Sequence, residues 1–243
     1  MVYTLIDLHI HTCLSPCGDL SMSPRRIVEQ VYLRGIGMIA ICDHNTCENV
    51  DAVIKAAIDS PLIVLPGVEI TTREEVHILG WFPSLANALA IQEVIYQHLP
   101  GENNPELFGY QPIVDEEGFV VSFNSRALIG ATTLGLDDTI DLIHSHEGLA
   151  VAAHIDREGF GILGQLGFIP PKLPLDALEI SHRLSLKQAR SRYPEFAHYP
   201  MITSSDAHKP EEIGRGAISV NLSELSFEAL KQRLEAWKMR KSL

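Results

Sequence analysis

The chain has 243 residues, 46% of them hydrophobic and 21% charged, a balance that excludes a disordered or collagen-like polypeptide and suits one large α/β domain or two small ones. Nineteen Lys and Arg stand against 31 Asp and Glu, a formal net charge of −12 with His neutral. That charge argues against non-specific binding to duplex nucleic acid or to an anionic membrane, but not against an anionic substrate held through cations.

No apolar run reaches the roughly 18 residues of a membrane span. The opening MVYTLIDLHIHT lacks a basic, signal-like segment, so the expectation is a cytoplasmic protein with no membrane contact. Apolar runs alternate with helical periodicity, as in a parallel sheet wrapped by helices. A strand at 3–10 comes first. Ser23 as N-cap and Pro24 at the first helical position then open a helix that buries Ile27, Val28 and Val31. After a strand at 38–42, Val50, Val53, Ile54, Ala57 and Ile58 repeat at the helical period. Strands at 62–70 and 76–82 precede a helix marked by Leu85, Leu89 and Ile95. Residues 99–135 break the rhythm with PGENNP and further glycines. They read as an insertion placed to cover a site, with a short hairpin near 119–123. Strands at 149–153, 177–180, 201–204 and 217–220 follow. The last helix is capped by Ser226 and shows Phe227, Leu230, Leu234 and Trp237; its basic end, KMRKSL, complements the helix dipole. One domain over 1–243 is the simplest organisation.

The polar residues of interest sit at strand ends. In Asp7-Leu8-His9-Ile10-His11 the period of two puts Asp7, His9 and His11 on one face. Two imidazoles at that spacing can share one ion, with Asp7 placed to orient one of them. Asp43 and His44 follow MIAIC, Glu69 ends LIVLPGVEI, His77 lies in VHILGWF, His154 ends LAVAAH, and Asp206 and His208 follow MITSS. In parallel α/β folds the C-terminal strand ends converge on one face. Buried charges there are costly alone, and a shared set of divalent cations removes the cost for all of them. His98, His144, His146 and His198 fall on helix or loop surfaces. Cys13, Cys17, Cys42 and Cys47 are spaced too loosely for a zinc site and read as incidental thiols. Neither a G-x-S-x-G elbow nor a phosphate-binding P-loop is present, so no Ser nucleophile is called for.

The segments DLHIHTCLSPCGD, ICDHN, PGVEITTREEVHILG, AAHIDR and SSDAHKPEEIGRG, in that order across residues 7–216, resemble the PHP (polymerase and histidinol phosphatase) superfamily of metal-dependent phosphoesterases. The resemblance implies an α/β fold, a distorted seven-stranded (β/α) TIM-like barrel, with two or three divalent ions (Zn, Mn or Fe) at its mouth. Matched position by position, the implied ligands are His9, His11, His44, Glu69, His77, His154, Asp206 and His208. Glu69 is the bridging carboxylate, and Glu69 and Asp206 form the activating pair. The family often has Asp or His about five residues after the second His, where this chain has Pro16; Asp19 is the nearest substitute. The implied reaction is hydrolysis of a phosphate ester by a metal-bridging hydroxide, on a small phosphomonoester, a nucleotide or a short oligonucleotide. Arg157, His182, Arg183 and Lys209 are the expected substrate contacts. The expected partners are a small phosphorylated substrate or short single-stranded nucleic acid, with duplex DNA excluded. The competing readings are a metal-dependent amidohydrolase-like C–N or C–O hydrolase and a non-catalytic PHP module.

Overall fold

The runs of alternating Val, Ile and Leu become ten strands in a computed structural model, which describes residues 2–240 without the side chains of Val2, Met239 and Arg240. They are β1 (Val2–Ile10), β2 (Ile36–Ile41), β3 (Ile63–Thr71), β4 (His77–Trp81), β5 (Pro112–Val114), β6 (Val120–Phe123), β7 (Leu149–Ala152), β8 (Ala177–Ile180), β9 (Met201–Thr203) and β10 (Ile218–Leu222). The helices are α1 (Pro24–Leu33), α2 (Val50–Ala56), α3 (Leu85–His98), α4 (Pro105–Phe108), α5 (Leu136–Ser145), α6 (Ile162–Leu166), α7 (Leu186–Arg192) and α8 (Phe227–Arg240). Pro24 opens α1 as expected, although the Ser23 side chain makes no capping bond. Ser84 caps α3 by accepting from Asn87 N, and Ser226 Oγ accepts from Ala229 N at the start of α8. Ile58 lies beyond the end of α2 and is exposed, so the helical period read there runs two residues too far. In the basic tail, Lys241, Ser242 and Leu243 lie outside the described residues.

Eight strands form one nearly closed sheet in the order β10-β1-β2-β3-β4-β7-β8-β9. The parallel bridge between Ile10 and Ala207 brings the chain after β9 against the end of β1. That contact occupies the C-terminal end of β1, while β10 pairs antiparallel along Val2 to Ile6. The barrel therefore carries eight strands rather than the expected seven. It is also less parallel than the sequence suggests, because β4 runs antiparallel to both β3 and β7. His77, the first residue of β4, consequently lies at the same end as the last residues of its neighbours.

Two apolar clusters hold this frame. One joins Ile27 and Val31 of α1, Val53 of α2, Ile91 of α3 and Ile140 of α5 to Ile39, Ile41, Val68 and Ile78. The other packs Phe227, Leu230 and Leu234 of α8 against Ile6, Leu8, Met38, Ala40 and Trp81. Burying each such side chain stabilises the fold by about 1.5–3 kcal/mol. The 99–135 region holds α4 and the β5–β6 hairpin. It is tied to the mouth by Asn45 Nδ2, which donates to Leu128 O and Gly130 O, and by Asn49 Nδ2, which donates to Pro112 O.

Candidate metal centre at the barrel mouth

Every strand that ends at the mouth delivers a ligand-type side chain. β1 brings His9, with His11 directly after its end, the turn after β2 brings His44, β3 brings Glu69 and β4 begins with His77. His154 follows β7, and Asp206 and His208 follow β9. Backbone bonds lock these turns together: His11 N donates to Ala207 O at 3.0 Å, Asn45 N to Glu69 O at 2.8 Å and Ala153 N to His77 O at 3.1 Å. Left-handed φ values at Asn45 (55°), His154 (28°), Phe160 (61°) and Asp206 (52°) place backbone strain at the same rim.

At the centre, His9 Nε2 and His11 Nε2 face each other at 3.1 Å. Glu69 Oε2 lies 3.4 Å from the first and 3.3 Å from the second, and Asp206 Oδ1 lies 3.4 Å and 3.2 Å from them. His9 Nδ1 donates to Glu179 Oε2 at 3.0 Å. Ser15 Oγ donates to Asp43, so it accepts from His11 Nδ1, at 2.9 Å. In the neutral rings the single proton is thus on Nδ1. Four acceptor atoms then converge, which is repulsive unless a metal ion, or in its place a second ring proton, sits among them. A second group lies beside the first: Glu69 Oε1 is 2.8 Å from His77 Nδ1 and 3.1 Å from His154 Nε2, while Glu69 Oε2 is 3.1 Å from His44 Nδ1. His44 Nδ1, His77 Nδ1 and Glu69 Oε2 are close in distance but outside hydrogen-bond geometry, and all three are buried without a partner. A third group gathers His11, Cys17, His44 and His208, with Cys17 Sγ 3.1 Å from His44 Nε2. The residues present therefore fit a cluster of divalent ions.

Electrostatics separates the rings into two kinds. Burial alone pushes His9 and His11 down. Glu179, Glu69 and Asp206 outweigh it at His9 and hold it well above its ordinary value; Asp206 and Glu69 bring His11 to about 9. The pair demands positive charge. Burial and neighbouring rings instead push His44 and His77 down and bring His208 to about 4, leaving neutral lone-pair donors. Burial pushes the Glu69 carboxyl up, but His77, His9 and His44 more than offset it and hold it well below the usual range.

Buried acids brace the rings from behind. Glu179 Oε2 also accepts from the His154 backbone N at 3.0 Å, tying the His9 ring and the turn that carries His154 to one carboxylate. Asp43 accepts from Thr12 N and Oγ1, each at 2.7 Å, and from Ser15 Oγ at 2.6 Å. Asp7 does not orient a histidine, as the strand period had suggested. The β1 register shifts between Asp7 and Ile10, and Asp7 accepts from Ser205 N and Gly214 N, both at 2.8 Å. It pins the loop that carries Asp206. Gly216 lets that loop close, since a Cβ there would meet Ser204 O at 1.9 Å. Sequence reasoning missed Glu179 as a brace. Its signal was an acid inside the apolar strand ALEI.

Asp19 is not brought into the cluster. Its carboxylate is exposed and accepts from Ser21 N and Oγ. Cys17, read as incidental, stands at the third donor group instead. Cys13, Cys42 and Cys47 are buried free thiols. Arg157, His182, Arg183 and Lys209 line one cavity of about 250 Å³ beside His154, Asp206 and His208. Arg157 Nη1 also donates to Asp206 Oδ2. His98, His144, His146 and His198 bond Thr133, Asp176, Leu142 O and Glu195 O, outside the cluster.

A family model described as the PHP domain matches residues 7–179, and one described as PHP-associated matches 185–238. The second segment supplies Asp206 and His208. Over 77 residues, 30% of this chain and 27% of the relative, the sequence is 36% identical to a 5′-3′ exoribonuclease of Haemophilus influenzae. The fold is similar to the lesion-specific endonuclease Q of Pyrococcus furiosus, at 18% identity and a TM-score of 0.75 over 97% of this chain and 56% of that one. It is also similar, at 16% identity and a TM-score of 0.73 over 97% of this chain and 57% of that one, to an endonuclease Q complex with a 27-mer duplex bearing an abasic lesion. An amidohydrolase from Chromobacterium violaceum with bound sulfate matches at 20% identity and a TM-score of 0.59, over 96% of each chain. This chain thus spans little more than half the length of the endonuclease Q chains. The duplex complex corrects the expectation that duplex DNA is excluded. Net charge is a sum over the whole chain and does not describe a mouth where Arg157, Arg183 and Lys209 stand beside His154, Asp206 and His208. No helix among the described residues is long and apolar enough to cross a membrane.

Proposed function

The chain belongs to the PHP domain family and is a metal-dependent hydrolase, and on that premise we propose that it cleaves the phosphate ester of a nucleotide or a nucleic-acid strand at this mouth. The observation that carries the reading is the convergence of His9 Nε2 and His11 Nε2, 3.1 Å apart, with Glu69 Oε2 and Asp206 Oδ1, each 3.2–3.4 Å from both nitrogens. These four side chains would hold one ion. Glu69 with His77 and His154 would hold a second, which makes Glu69 the shared carboxylate. His44, His208 and Cys17 would hold a third, with Cys17 in the role first given to Asp19. His and carboxylate donors suit Zn, Mn or Fe; the Cys17 thiol favours Zn or Fe at the third position. When bound, the ions supply Lewis acidity, acidifying water and neutralising charge on phosphoryl oxygens.

The chain's own residues do the rest. Glu179 and Ser15 keep the protons of His9 and His11 on Nδ1, so that both Nε2 lone pairs face the centre. Arg157, His182, Arg183 and Lys209 bind the phosphate in the adjoining cavity, and Arg157, already held by Asp206, sits between cavity and cluster. Residues 1–243 act as one unit in this reading, supported by the packing of α8 into the same apolar cluster as β1 and β2. The nucleic-acid side of the proposal is supported by the exoribonuclease and endonuclease names of similar proteins. To test it, metal-stripped protein is reloaded with Zn, Mn or Fe. It is then assayed against nucleoside monophosphates, 5′-phosphorylated oligonucleotides, an abasic duplex and a panel of amides. Metal-dependent cleavage of phosphate esters is expected. Turnover of amides alone would move the assignment to an amidohydrolase, and full metal loading without turnover would leave a binding module.

A further inference from the structure

We propose that Phe160 is the platform of a ring-binding subsite, on which a nucleobase stacks beside the phosphate being cleaved. The inference rests on the phosphoesterase reading and adds what lies next to the phosphate. Phe160 sits in the turn between β7 and α6 with φ at 61°, a conformation that a bulky side chain avoids. The surroundings hold it there. Phe160 O accepts from His77 N at 2.9 Å. The turn is wound so tightly that a Cβ on Gly161 would meet Arg157 O at 2.5 Å, and one on Gly164 would meet Glu158 O at 2.2 Å. Arg157 and Phe160 therefore project from a single rigid turn.

The ring lies flat on the His77 imidazole, with centroids 4.4 Å apart and planes 18° apart. One face is thus covered by a residue of the cluster, yet Phe160 keeps 40% of its surface exposed. It lines a cavity of about 160 Å³ together with Ile129, Glu69, Arg157 and Asp206. A flat apolar face, held by strained backbone and set beside a guanidinium and the candidate metal ligands, matches the two ends of a nucleotide. The guanidinium takes the phosphate and the ring takes the base. Base-on-aromatic stacking tolerates any base, since each presents a π face.

The test is equilibrium binding of two non-hydrolysable phosphonates, one of adenosine and one of ribose, to metal-loaded protein by calorimetry. Phe160→Leu keeps an apolar contact on His77 but removes the π face, and Phe160→Tyr restores it. Metal content of each variant is measured alongside. The wild type is expected to prefer the adenosine ligand by about 5- to 150-fold, the range of a single stack. Phe160→Leu should erase that preference while leaving the ribose ligand's affinity within about twofold, and Phe160→Tyr should keep it. The inference is overturned if wild type shows no preference or binds neither ligand, or if Phe160→Leu weakens both equally or changes neither. Because the readout is binding, the two proposals fail separately. A protein that selects the adenosine ligand but cleaves no ester sinks the hydrolysis reading alone; one that cleaves alkyl phosphates without regard to the base sinks the subsite alone.

Discussion

Replacing Glu179 by Gln keeps the shape of the side chain and removes one acceptor from beneath the cluster. The carboxylate is buried, at 1% exposure, and serves His9 Nδ1 and His154 N, each at 3.0 Å. A carboxamide has one acceptor oxygen. If that oxygen stays on His154 N, the amide N–H₂ faces His9 Nδ1, donor against donor. An unmet buried donor costs about 1–3 kcal/mol. His9 escapes that cost by releasing its Nδ1 proton and keeping the one on Nε2, where Glu69 and Asp206 accept it. The escape takes the Nε2 lone pair away from the centre. The penalty therefore falls on metal binding and spares the metal-free fold. Loss of such an outer partner typically lowers metal affinity about 10- to 100-fold, or about 1.4–2.8 kcal/mol. The assay is competition for Zn against a chromophoric chelator, paired with thermal melting of the stripped protein. Glu179→Gln should bind Zn about 10- to 100-fold more weakly and melt within about 4 °C of wild type, the shift of about 1 kcal/mol in a chain of this size. Unchanged affinity would refute the tautomer argument. A collapse of the stripped protein by more than about 10 °C would show Glu179 to be a fold residue instead.

Glu69→Ala should leave the fold nearly intact while abolishing turnover and lowering bound metal, read by elemental analysis of dialysed protein; retained activity contradicts the shared-carboxylate assignment. Cys17→Ser should lose the near-ultraviolet sulfur-to-metal charge-transfer band of the Co-loaded protein and weaken Zn more than Mn; an unchanged spectrum removes Cys17 from the cluster. Asp176 is held below its ordinary value despite burial, by His144, Ala150 N and Lys238. A depressed folded-state value means that its contribution is present above about pH 4 and fades as pH falls through the lower folded value. Asp176→Asn should thus melt about 3–9 °C below wild type at pH 7, with the gap closing in acid. A gap that persists undiminished at pH 2–3, measured by denaturant titration, contradicts this.

Much of the mouth is legible in the chain because apolar strands end in polar ligand types. His9, His11, His44, Glu69, His154, Asp206 and His208 all stand where such a run stops. The harder features depend on pairing, which a linear pattern does not carry. His77 lies at the mouth because β4 is antiparallel, and nothing in VHILGWF announces strand direction. Asp7 orients no histidine because the loop after β9 claims its carboxylate through Ser205 N and Gly214 N, a pairing the strand period does not carry. Asp19 and Cys17 are two residues apart, and only the turn's bonding decides which carries its side chain inward: Ser21 holds Asp19 outside while Cys17 reaches His44. Phe160 had no signal, since a left-handed φ at a bulky residue follows from its surroundings rather than its type.

In this reading, residues remote in sequence cage divalent ions at one rim. Crystals of Zn-loaded protein, measured with anomalous scattering on both sides of the metal edge, test it most directly. A peak is expected at roughly 2.0–2.2 Å from His9 Nε2, His11 Nε2, Glu69 and Asp206. Stoichiometric metal in solution with no anomalous peak inside that ring of four would contradict it.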